Sequence, residues 1–106
     1  MTTQEKILNQ LQVLENLSKQ GYYSDNFAVA LRNIIIEEIN IIEQQIREIE
    51  VDLQAFEQQY QLSSQQFYQQ FKDGKLGDKI DLVEWSAFYQ MWCSLQERLN
   101  LLQVQL

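Results

Sequence analysis

Proline is absent from this chain, and glycine occurs only at Gly21, Gly74 and Gly77. A β-sandwich or barrel draws on both residue types for its frequent tight turns, so an all-β fold is excluded. Histidine is also absent, which removes the usual general base and the commonest metal ligand. The single cysteine, Cys93, can form no intrachain disulfide, and with no histidine to activate a thiolate it reads as a structural thiol within a helix. Ser63, Ser64, Ser86 and Ser94 fail as nucleophiles for want of the same partner. Apolar runs such as Ile34-Ile35-Ile36 fall far short of the roughly 20 residues that span a bilayer. Met1 to Asn9 carries neither the basic start nor the apolar stretch of a secretion signal. These absences lead us to expect a cytoplasmic protein that is not an enzyme and holds no cofactor and no metal.

Basic residues are scarce too, 8 against 15 acidic ones, for a formal charge of −7. A protein that binds phosphate backbones needs a cationic footprint, so direct nucleic-acid binding is disfavoured. The acid is concentrated in Glu37, Glu38, Glu43, Glu48, Glu50, Asp52 and Glu57, with Arg47 as the lone base among them. Two readings fit that run: the solvated face of an amphipathic helix, or a surface complementary to a basic partner.

What remains is a chain of 106 residues, 45% apolar and 22% charged, which is the composition of one globular domain. Its patterning is helical throughout. Ile7, Leu8, Leu11, Leu14 and Leu17 form one stripe, and Gly21 is placed to end that helix in the left-handed conformation. Ser24 then offers a cap to a second helix that nothing interrupts before residue 61, and the turn between them would fold the first helix back on the second. The seam of the long helix, Ile35, Ile39, Ile42, Ile46, Ile49, Leu53, Phe56 and Tyr60, steps alternately by four and three. Trp85, Phe88, Trp92, Leu95, Leu99, Leu102 and Leu106 repeat that rhythm near the C-terminus. Helices are expected at about 3–20, 25–61, 63–72 and 82–103, forming an all-α, coiled-coil-like hairpin with a short connector helix. Ser63 and Gln66 have capping-box spacing at the connector, as do Asp81 and Glu84 at the last helix. The broad apolar face around Ile34 exceeds what the other helices can cover, so a homo-oligomer, most simply a dimer, is expected, with Ile34, Ile35, Ile39, Ile42, Ile46 and Ile49 as its candidate seam.

The run Asp73 to Glu84 lies between two helices like a calcium loop, but Lys75 and Gly77 take two ligand positions and Asp78 stands where a glycine belongs. A glycine turn followed by a helix cap needs only what is present. Glu43 and Arg47 stand four apart in the order that supports a helix as a surface pair. The aromatic group Tyr60, Phe67, Tyr68, Phe71, Trp85, Phe88, Tyr89 and Trp92 has two readings, a miniature core closing the hairpin or a binding groove, since Trp and Tyr dominate interface hot spots.

At Phe56-Glu57-x-x-Tyr60-x-Leu62-Ser63-Ser64-x-x-Phe67-Tyr68-x-x-Phe71-x-x-Gly74-x-Leu76-Gly77-Asp78, followed by Asp81-x-x-Glu84-Trp85, the chain resembles a block of small prokaryotic antitoxin-like proteins of toxin-antitoxin pairs. The resemblance covers under half the chain. It implies a non-catalytic protein that binds and neutralises a compact toxin, often a ribonuclease. Many antitoxins also carry a DNA-binding domain, and the acidic N-terminal half departs from that pattern. The expected function is therefore a protein-binding module for a basic partner, with a purely structural self-assembling coiled coil as the alternative. The candidate partner-binding residues are Glu43, Glu50, Glu57, Tyr60, Phe67, Tyr68, Phe71, Trp85 and Tyr89.

Overall fold

A computed structural model describes all 106 residues, as four α-helices and no strand. The chain forms two compact units, residues 1–33 and residues 34–106.

The first unit holds α1 (Thr3–Lys19) and the opening residues of α2 (Asp25–Tyr60). The Thr2 hydroxyl accepts the Glu5 N–H at 3.1 Å and so satisfies one of the free amides at the start of α1. Gly21, at φ 82°, ends it: the Gly21 N–H donates to the Ser18 carbonyl and the Tyr22 N–H to the Leu17 carbonyl, the paired closure that only a left-handed residue permits. Side-chain burial in α1 differs from expectation. None of its residues is buried, and Ile7, Leu8, Leu11, Leu14 and Leu17 remain 39 to 56% exposed. The fold-back suggested by Gly21 and Ser24 therefore does not cover this stripe.

The second unit holds the rest of α2, then α3 (Ser64–Lys72) and α4 (Ile80–Gln103). Its core is the seam read from the heptads: Ile42, Ile46, Ile49 and Leu53 of α2 meet Phe67 of α3 and Leu82, Trp85 and Leu95 of α4. The order of contacts makes α2 and α4 antiparallel, because Tyr60 stacks on Trp85, Phe56 lies against Phe88, and Glu50 meets Trp92. Between α2 and α3 the chain reverses through Gln61, whose φ of 53° is a left-handed conformation in a residue that has a Cβ. The Leu62 N–H then closes on the Glu57 carbonyl, and the Gln61 amide donates to the Gln58 carbonyl at 2.7 Å.

Three local expectations are revised. The connector helix has its Ser63 cap, with Oγ accepting the Gln66 N–H at 3.1 Å, but α4 opens at Ile80, two residues early, with Lys79 as a cap residue that makes no side-chain cap bond. Asp81 consequently falls inside the first turn, where its charge suits the helix dipole but its side chain is past the capping position. Arg47 donates to the Gln44 amide oxygen at 2.8 Å rather than pairing with Glu43. No helix is long and apolar enough to cross a membrane.

Candidate functional site

The aromatic block divides into a core and a rim. Phe67 and Trp85 have no exposed surface, and their rings lie nearly parallel with centroids 3.8 Å apart. Phe56 and Tyr60 stack on other parts of Trp85 at 5.5 and 5.6 Å. Trp85 also carries an N–H into this apolar site, and that donor is satisfied: Nε1 donates to the Ser64 Oγ at 2.9 Å, with Ser64 itself buried. Phe67 and Trp85, candidate partner-binding residues in an aromatic group that also reads as a miniature core, are core residues. Heptad position gives a ring's direction, and here another ring occupies that direction.

A second line of rings stays half-buried along the edge of the bundle. Lys72 places its ammonium 5.0 Å from the Tyr68 ring centre, Tyr68 lies 5.1 Å from Tyr89, and Tyr89 stacks on Trp92 at 5.9 Å. The Trp92 Nε1 donates to a Glu50 carboxylate oxygen at 3.3 Å. Burial, followed by the neighbouring Cys93 thiol and Tyr68, pushes the Tyr89 phenol above its ordinary range, so it stays a neutral hydroxyl through physiological pH. Cys93 is half-buried, as its place in the helix suggested.

Glu50 and Glu57 are two turns apart on α2 and so share a face, about 10 Å apart along the axis. Glu57 uses one oxygen to accept the Ser64 N–H at 2.8 Å, which places a carboxylate at the positive end of α3. No local sequence signal marks this cap, since it joins two helices across the Gln61 bend. Glu50, Glu57, Tyr89 and Trp92 line one surface depression of about 300 Å³, with Leu53, Gln54, Ser63, Ser64 and Gln65 completing it. Its only ionisable groups other than Tyr89 are the two carboxylates, and each commits one oxygen to an internal donor. The remaining oxygens share the depression with Tyr89 and Trp92 and carry its only formal charge, which favours a cation.

The other candidates are distributed around it. Tyr68 touches Tyr89 behind the depression, Phe71 packs half-buried on Phe67, and Tyr60 lines a separate, more apolar hollow with Phe67, Leu76 and Leu82. Glu43 is half-buried farther along α2 and does not line the depression. Of the candidate oligomer seam, Ile39, Ile42, Ile46 and Ile49 are buried within this chain by its own packing, Ile35 is half-buried, and Ile34 is exposed. Trp92, which belongs to the aromatic group but not to the candidate partner-binding residues, lines the depression and donates its indole N–H to Glu50 there. No group of three or more Cys, Asp or Glu side chains converges in a way that could hold a metal ion, and the Asp73 to Glu84 segment is a turn set by Gly74 and Gly77, at φ 74° and 81°, followed by the first residues of α4. Comparison of the chain with protein-family models, with curated proteins and with solved structures gives no match.

Proposed function

We propose that this chain is a non-catalytic protein-binding module whose depression between α2, α3 and α4 receives a cationic side chain from a basic partner, as an antitoxin does when it neutralises a toxin. The observation that carries this reading is the lining: two carboxylates in one depression with two aromatic rings, and no basic residue among them. An arginine or lysine entering there gains a charge-assisted hydrogen bond and a cation–π contact together. The wider acidity of unit 2 supports the same reading, because an opposite field speeds encounter before the specific contact forms. The antitoxin setting rests on the resemblance of the Phe56 to Trp85 block, and the site chemistry supports a basic protein partner whether or not that partner is a toxin.

Co-expression with the product of the adjacent gene tests this reading. Relief of growth arrest by the wild-type chain, together with a stable complex whose affinity falls with salt, is the expected result. Glu50→Gln and Glu57→Gln should each weaken that complex about tenfold. Glutamine keeps an oxygen for the Ser64 N–H or the Trp92 N–H, so these variants remove charge and leave the fold. Toxicity that persists beside the wild-type chain, with no complex formed, removes the antitoxin reading. A complex indifferent to both substitutions moves the partner away from this depression.

A further inference from the structure

We infer that unit 1 is a self-association element, in which α1 pairs through Ile7, Leu8, Leu11, Leu14 and Leu17 with α1 of a second copy of this chain. The inference uses none of the depression residues and stands or falls apart from the partner-binding reading. It starts from an imbalance: α1 has 17 residues, an amphipathic stripe and not one buried side chain. A helix of that length draws most of its stability from packing its apolar face, and the stripe on this one stays 39 to 56% exposed.

Charge selects the occupant. Residues 1–33 hold Glu5, Glu15 and Asp25 against Lys6, Lys19 and Arg32, so unit 1 is neutral and the whole charge of −7 belongs to unit 2. Glu15 and Lys19 already neutralise each other at 2.9 Å on the surface of α1. Two copies can meet through unit 1 without net repulsion, whereas contact through unit 2 would bring −7 against −7. A basic partner has no field to follow toward α1, and an anionic lipid surface finds none of the excess lysine and arginine that holds an amphipathic helix to it. A second copy brings an equally neutral unit 1, and its stripe matches in spacing by construction.

Sedimentation equilibrium of the full chain tests this, beside a Leu11→Glu, Leu14→Glu double variant. The wild type should have twice the 12.7 kDa chain mass at concentrations of about 1 to 100 µM, and the variant the single mass. Each substitution is present in both copies, so the double variant loses four leucines, and at about tenfold each association should weaken about 10⁴-fold. The freed α1 should also lose helical ellipticity, with near-ultraviolet circular dichroism from Trp85 and Trp92 unchanged as proof that unit 2 is intact. The milder Leu11→Ala, Leu14→Ala variant should fall between. A monomeric wild type overturns the inference. So does a dimer that survives the double glutamate variant but dissociates with Ile34→Glu, since its interface would then lie on α2.

Discussion

The bond between Trp85 and Ser64 allows the core assignment to be tested with one hydroxyl. In Ser64→Ala the indole N–H loses its acceptor while the ring stays clamped among Phe56, Tyr60 and Phe67, with no exposed surface through which water could replace it. Leaving a buried donor unpaired costs about 1 to 3 kcal/mol. Alanine is the better helix former at this first helical position, by roughly 0.5 kcal/mol, and the helix cap is untouched because Ser63 supplies it. The net loss should be about 1 to 2 kcal/mol, or roughly 5 to 15 °C of melting temperature for a unit of this size. Denaturant unfolding followed by circular dichroism measures it as a lower midpoint at unchanged slope. The second arm is Trp85→Phe, which retains an aromatic ring and deletes the donor. In that background Ser64→Ala should cost under about 0.5 kcal/mol, leaving a coupling energy near the whole single-variant loss. An equal cost in both backgrounds, or no cost in the wild type, would refute the claim that the hydroxyl acts by satisfying the indole.

Two further outcomes follow from burial and charge. Ile46→Ala removes a buried seam side chain and should cost about 2 to 5 kcal/mol in unfolding free energy, whereas Ile41→Ala, at a site 46% exposed, should cost under about 1 kcal/mol. Similar costs would mean that the α2 to α4 seam is misplaced. For Tyr89, the folded state holds the phenol proton more tightly than the unfolded chain does, so its contribution to stability is complete below the unfolded pKa of 10.0 and is lost as pH rises through the higher folded value. Wild type should therefore lose stability between pH 10 and 12 more steeply than Tyr89→Phe, read from melting temperatures across that interval, and parallel curves would contradict the assignment.

The helical architecture was legible because it is periodic. Ile42, Ile46, Ile49 and Leu53 recur at the spacing that keeps side chains on one face, and α4 repeats the rhythm, so the two buried seams could be assigned to each other before any coordinate was known. The candidate site was legible only in part. Glu50, Glu57 and Tyr89 share one depression with Trp92 of the aromatic group, while Phe67 and Trp85, open in the sequence to either a core or a groove reading, have no exposed surface. A ring's place on a helix defines the direction in which it points, while whether another ring waits there depends on how α3 crosses α2 and α4.

Residue order by itself determined that this protein is helical, where its glycines stop α1 and α3, and which stripes need covering, since these depend on backbone freedom and on spacings of three and four. Tertiary structure decided which stripes receive cover. It buried the Ile42 to Leu53 seam against α4, left Ile7 to Leu17 open, and set the Glu57 carboxylate on the first amide of α3. Each of those outcomes joins groups far apart along the chain, where local propensity carries no information and only the packing of whole helices selects the partner.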